Sequence, residues 1–331
     1  MRALDEELQD VADHYRWFAR VEAAPVSPAY AGLAAAVADD ADVLDFLGTL
    51  PKLKRQANLL LAALTFLHRS PPADGAQLHD RVVGDPERLR ATMLARGTQT
   101  NEAARCSALL PLLADLPGPL ALIEVGASAG LCLYPDRYGY EYDGVRVGPP
   151  SAVQLRCTTT GRGPVPSGVP HVVRRAGIDL NPLDPADPED VDWLRALIWP
   201  GMVGRRERLD AAAAIAAREP ADLVRGDLLE RLPEVVAGMP ADSTVVVFHT
   251  AVLPYLDAAA RDDFVALVTD LPVRWISQEG PGVLPDVAAR LPELPDAGEN
   301  RFLLARDGEP LAWTRPHGGQ LDWLPAAARL A

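Results

Sequence analysis

The sequence predicts an α/β protein: an N-terminal helical domain, then a mostly parallel sheet that ends in an antiparallel hairpin. Three observations predict it. Residues 1–118 carry amphipathic or wholly apolar helical runs and no strand-like run. From residue 119, short apolar runs alternate with helical segments, the pattern of βαβ units and a parallel sheet. Near the end, Arg301–Ala305 and Leu311–Arg315 flank Asp307-Gly308, a hairpin signal.

The elements follow in order. Leu4, Leu8, Val11, Tyr15, Phe18 and Val21 form one apolar helical stripe. Ser27-Pro28 and Asp85-Pro86 each read as a cap followed by proline at the first helical position. Val43 to Leu47 continues the helices, and Gln56 to His68 is apolar on most sides, a buried helix. Thr100 to Leu116 closes the group, with Pro111 as a kink. Leu120 to Val125 is then a buried strand ending in small residues. Residues 134–170, rich in Tyr, Gly, Pro and Thr, read as an inserted hairpin turning at Asp143-Gly144. Val172 to Leu180, Asp222 to Arg225, Thr244 to Phe248 and Val273 to Ser277 are strand-like. Helical segments over 190–198, 205–218, 228–236 and 258–271 separate them.

Composition limits the function. Among 331 residues, 48% are hydrophobic, enough for a large core. The net charge of −14 repels phosphate backbones and anionic lipids, against general nucleic-acid or membrane binding. Cys106, Cys132 and Cys157 are far apart and lack ligand spacing, so neither a disulfide framework nor a metal site is expected. No leader pattern opens the chain and no apolar run reaches membrane length, so a cytoplasmic location is expected. The oligomeric state is left open.

The chemistry centres on Glu124-Val125-Gly126-Ala127-Ser128-Ala129-Gly130. Small residues after a strand let a ligand approach the backbone, and a helix beginning there would offer unpaired N–H groups. A dinucleotide loop needs a third glycine where Leu131 stands. Gly126-x-Ser128-x-Gly130 also matches the nucleophile turn of serine hydrolases, with His317 as the late histidine. Only helices precede the turn, whereas such hydrolases place several strands before it. The third reading is an S-adenosylmethionine site.

For that reading, Glu124 with the glycine turn, Asp179 ending the second strand, and Asp227 after the third resemble the class I S-adenosylmethionine-dependent methyltransferases. The resemblance implies a Rossmann-like sheet with an antiparallel seventh strand. It also implies cofactor contacts from Glu124, Gly126, Ser128 and Gly130, from Asp179 to the ribose hydroxyls, and from Asp227 to the adenine amino group. About fifty residues separate the turn from Asp179, where about twenty are usual. The 134–170 insertion accounts for the excess and is expected to form a lid or substrate wall. More narrowly, the chain resembles the DUF2332 family of bacterial proteins, common in actinobacteria. The segments that carry this are Gln99-Thr100-Asn101-Glu102 with Arg105, Gly126 to Leu131, Asp136-Arg137-Tyr138, Asp179 to Asp184, Trp193-Leu194-Arg195 with Trp199-Pro200, and Phe248-His249-Thr250. This family brings no reaction with it.

His249 is the catalytic candidate, expected at the pocket rim as a base, with Glu279 of the next strand orienting it. Each has a plainer account: a hydrogen-bonded structural histidine and a loop acid. Asp227 reads equally as a helix cap, and Asp179-Leu180-Asn181-Pro182 as a turn. Asn101, Glu102 and Arg105 share one helical face and reach the cofactor or form a salt bridge. Trp193 and Trp199 read as core, and Tyr255 as packing. The expectation is methyl transfer from S-adenosylmethionine to a small or medium-sized substrate. The alternatives are a binding or regulatory protein of the same fold and, third, a hydrolase using Ser128.

Overall fold

The computed structural model describes residues 6–291 and 300–330, so Leu4 of the first apolar stripe lies outside it. The chain falls into two compact units, 1–100 with 188–209 and 101–187 with 210–331. The division differs from one at residue 118. The segment 101–118 groups with the sheet, and residues 188–209 group with the helices.

The helices are α1 (Glu6–Trp17), α2 (Pro28–Ala38), α3 (Ala41–Gly48), α4 (Ala57–His68), α5 (Gly75–Gly84), α6 (Pro86–Ala95), α7 (Cys106–Ala114), α8 (Pro188–Ala196), α9 (Arg205–Ala216), α10 (Leu228–Ala237), α11 (Ala258–Asp270) and α12 (Pro285–Ala288). In the first unit, capping follows the expected chemistry. Ser27 Oγ accepts from Tyr30 N–H ahead of Pro28, and Asp85 Oδ1 accepts from Arg88 N–H ahead of Pro86. Leu59 to Leu64 of α4 are all buried, as its uniform apolarity requires. Trp193 packs edge-on against Phe66 and donates to Gly97 O, so it belongs to this unit's core. Trp199 does likewise beside Phe18 and Tyr30.

Among the described residues, the second unit holds one eleven-stranded sheet. Its strands are β1 (Leu120–Val125), β2 (Gly139–Tyr142), β3 (Val145–Val147), β4 (Gln154–Thr160), β5 (Val172–Asp179), β6 (Asp222–Arg225), β7 (Thr244–Thr250), β8 (Arg274–Glu279), β9 (Phe302–Arg306), β10 (Glu309–Thr314) and β11 (Gln320–Trp323). They lie in the order β3-β2-β4-β11-β10-β9-β8-β7-β1-β5-β6. The five strands β6-β5-β1-β7-β8 are mutually parallel, and β1 is buried along its whole length. Ile123, Val125, Val247, Phe264 and Trp275 are at the centre of the core under α10 and α11. The result is an α/β protein with a mostly parallel mixed sheet.

Four features depart from the sequence reading. First, no α-helix follows the glycine turn. One 3₁₀ turn over Leu131–Leu133 leads into β2, so the turn has no helix N-terminus to offer an anion. Second, residues 134–170 extend the sheet rather than standing apart as a hairpin and loops. β2 and β3 pair antiparallel across Asp143-Gly144, both at positive φ, and β4 lies parallel to β2 and to β11. The alternation of buried and exposed residues along β4 suits a strand inside a sheet, which draws the segment edgewise onto β11. Third, β9 is the antiparallel strand beside β8, and β10 runs parallel to β8 farther out. The sixth strand of the series, not the seventh, takes the antiparallel place. Fourth, Asn101 and Glu102 precede α7 rather than lying on it. The backbone is extended at Glu102, then makes a 3₁₀ turn over Ala103–Arg105.

Because β1 is covered on both faces, Ile123→Ala is expected to lower unfolding stability by about 2–5 kcal/mol and Ile123→Val by about 0.5–1.5 kcal/mol. Urea titration followed by fluorescence reads both.

Candidate functional site

In the parallel series, the chain leaves β1 toward β5 on one side and returns to β7 on the other. The C-terminal ends of β1, β5 and β7 therefore form a topological switch point. The glycine turn sits there. Gly126, Ser128 and Gly130 have φ of +69°, +52° and +69°, a left-handed alternation that small residues tolerate best. Gly126 and Ala127 both donate to Ile178 O of β5. Asp179 fixes the middle of the turn. Its Oδ2 accepts from Ser128 N–H at 2.8 Å, and its Oδ1 accepts from Asn181 N–H at 2.8 Å. Asp179 thus makes both the turn of its own segment and the contact to the glycine turn.

Asp227 caps α10, with Oδ1 accepting from Leu229 N–H at 2.8 Å. It stands at the end of β6, one strand beyond Asp179 in the sheet. Ser128 has the positive φ that a nucleophile turn demands, yet it is buried and lacks the following helix. Gly126 is pressed by protein. A Cβ there would meet Val252 Cγ2 at 2.4 Å, so the notch over Gly126 is filled by the segment after β7.

His249 is wholly buried rather than at a rim. Its Nε2 accepts from the Trp275 indole N–H at 3.0 Å, and its Nδ1 lies 2.7 Å from Glu279 Oε1. Because an indole only donates, Nε2 carries no proton and Nδ1–H donates to the carboxylate. Phe264 meets the ring edge-on and Trp275 stacks beside it. Glu279 Oε1 also accepts from Val252 N–H at 2.9 Å and Leu253 N–H at 3.2 Å. The histidine and glutamate do come together, and together they hold the segment that carries Val252 onto Gly126.

The opposite face holds a second buried polar group. Glu124 is paired in register with Phe248 and Val125 with His249, so Glu124 and His249 point to opposite faces of the sheet. On Glu124's side, Asn101 Oδ1 accepts from Leu131 N–H at 2.8 Å, Glu102 O accepts from the Cys132 thiol, and Arg105 donates to Thr250 O and Oγ1. Burial pushes the Glu124 carboxyl well above the usual range, with the neighbouring Cys132 adding to it and Arg105 opposing it. Gln278, buried beside Thr250, donates to Thr314 Oγ1 and Arg315 O. Sequence reasoning gave no role to Gln278 or Trp275. The signal for Gln278 was the polar run Ser277-Gln278-Glu279 ending an apolar strand.

Tyr255 and Leu180, which follow β7 and β5, are both exposed, so Tyr255 is not packed. In the helical unit, Asp40, Asp42 and His79 bring ligand atoms within 4.8 Å of one another, and Asp39, Asp40, His79 and Asp80 line an open hollow. Asp40 there caps α3 and holds His79 Nδ1 at 2.8 Å, which raises the imidazole pKa. No described helix is long and apolar enough to cross a membrane.

Fold and site together define an α/β protein with a glycine turn at the switch point of a mostly parallel sheet. The chain belongs to the DUF2332 family, described as uncharacterized protein conserved in bacteria, whose model matches residues 12–323. No match was found among curated proteins or among solved structures.

Gly126→Ala is expected to destabilise by about 2–4 kcal/mol, combining left-handed strain and overpacking. Adding Val252→Ala should recover the overpacking part, and denaturation of the double variant tests this. Glu124 sets a pH dependence. With its folded pKa raised, its contribution is complete below the unfolded value near 4.5 and is lost as pH rises toward the folded pKa. Glu124→Gln should therefore match the parent at pH 4.5 and exceed it increasingly above, by up to about 1.4 kcal/mol per pH unit. Thermal unfolding of both proteins across pH 4.5–8 checks the trend.

Proposed function

We propose that the chain is an S-adenosylmethionine-dependent methyltransferase acting on a small or medium-sized molecule, with a Rossmann-like site at the ends of β1, β5 and β6. The observation that carries this reading is the link between the glycine turn and the end of β5, through Asp179 Oδ2 and Ser128 N–H, at the switch point of the parallel series. Asp179, at the end of β5, is the residue for the ribose hydroxyls. Asp227, one strand farther, is the residue for the adenine amino group, and its cap leaves it half-buried at the strand end.

The cofactor would supply a methyl group on a sulfonium. Asp179 and Asp227 would hold it at the strand ends, where the chemistry it supplies would be methylation of a nucleophilic atom of the acceptor. Most of the protein's contribution is position. In this reading Glu279 and His249 are positioning residues: they fix the 251–253 segment against the glycine turn. Because Val252 covers Gly126, the ligand is assigned to the Ser128–Asp179 side of the turn.

A second reading, binding without transfer, is favoured by one observation. Both ring nitrogens of His249 are engaged inside the core, so the histidine has no nitrogen turned to a substrate. Calorimetry with S-adenosylmethionine and S-adenosylhomocysteine tests the main reading. Binding is expected in the parent and a loss of about tenfold or more in Asp179→Asn, the effect of removing one charged hydrogen-bond acceptor. Absence of binding to both compounds refutes it. Binding without release of S-adenosylhomocysteine across acceptor mixtures moves the assignment to the second reading.

A further inference from the structure

Arg105 is 6% exposed, and its three hydrogen bonds all go to neutral oxygens. These are Thr250 O and Oγ1, each at 3.0 Å, and Pro316 O at 3.1 Å. It forms no ion pair with any described carboxylate. A guanidinium does not lose its proton, and a buried charge without a counter-charge is costly. The largely covered Arg175 of the same unit has such a counter-charge, Asp136 at 2.7 Å.

Two acceptors on the same side lack partners as well. Glu124 Oε2 and Gln278 Oε1 are buried with no hydrogen bond. Register places them together with Arg105. Glu124 lies opposite Phe248, Thr250 follows two residues later on the same face, and Gln278 lies opposite Thr250. Neighbouring strands are about 4.8 Å apart, so the unpaired cation on Thr250 has an unpaired acceptor one strand away on either side. Ordered water would satisfy the acceptors but bring no counter-charge, and the nearby Glu124, held largely protonated by burial, is a weak one.

We propose that this face of the strand ends receives an α-amino acid group, its carboxylate pairing with Arg105 and its amino group donating to Gln278 Oε1 and Glu124 Oε2. An anion alone would leave the acceptors empty, and an amine alone would add charge beside Arg105. A zwitterion satisfies all three. The inference rests on reading this sheet end as a ligand site and names the chemical class it takes. The group can come from a free amino acid, the substrate, or from the amino-acid end of S-adenosylmethionine.

Calorimetry and thermal shift on the full chain test it, with individual L-amino acids, their decarboxylated and deaminated analogues, S-adenosylhomocysteine, and 5′-methylthioadenosine, which lacks the amino-acid group. At least one L-amino acid is expected to bind and raise Tm while both of its analogues fail. Arg105→Met should lose this binding by about thirtyfold or more, as for removal of a buried charge partner. Gln278→Glu supplies a carboxylate from within the protein. It should keep or raise the Tm of the ligand-free protein and abolish the response, which covers the case in which Arg105→Met does not fold. If S-adenosylhomocysteine binds, 5′-methylthioadenosine does not, and Gln278→Glu removes the difference, the group belongs to the cofactor. A free amino acid binding while both adenosyl compounds fail sustains the inference and refutes the methyltransferase reading. Adenosyl compounds binding equally with no amino acid response overturns the inference and leaves that reading standing. No response to any probe overturns both.

Discussion

One carboxylate oxygen organises the ends of the central strands. Glu279 Oε1 receives His249 Nδ1–H from β7 and two successive backbone N–H groups from the segment after it. Three donors on one buried oxygen is a strong arrangement, because each bond is charge-assisted and shielded from water. It fixes where β7 ends. Ala251 then turns through a φ of +59°, and Val252 is delivered onto Gly126. The glycine turn is consequently braced from two sides, by Val252 from β7 and by Asp179 from β5. A glycine motif that sequence reasoning reads as space for a ligand is here partly space for a valine.

Much of the sheet was legible because its strands are short apolar runs with clear breaks. β1, β5, β6, β7 and β8 all fall within a few residues of their expected places. Strand β11 was not, since Gln320 to Trp323 is too short and mixed to stand out. The segment after the glycine turn misled for a physical reason. Leu131-Cys132-Leu133 is apolar and follows a glycine, which suits a helix start. Its N–H groups are instead satisfied by Asn101 Oδ1 and Gly130 O, and Tyr138 OH ties back to Leu131 O. Of these partners Asn101 is distant in sequence, and no local pattern reveals it.

The site was legible in its residues more than in its geometry. The pairing of His249 with Glu279 follows from neighbouring parallel strands, and strand-end position suggested it. Burial of that pair could not be read, because it depends on Trp275 and Phe264 closing over the ring. Arg105 was marked by its polar character beside an apolar helix. Its lack of a counter-ion is a property of the folded interior alone. A sheet whose two faces each hold a buried polar group at one end is unusual material for a purely structural core.

The route from β1 to β5 also bears on synthesis. A helical crossover would complete itself locally, but here the route runs through β4, which pairs on one side with β11. Thr160 Oγ1 bonds Asp322 across 162 residues of chain. As the polypeptide leaves the ribosome, β4 therefore waits as an open edge for nearly half the chain's length. Its outward residues, Gln154, Arg156 and Thr158, are polar, a pattern that keeps such an edge from recruiting a neighbouring nascent chain. Only when β11 follows, pairing with both β10 and β4, is the sheet sealed.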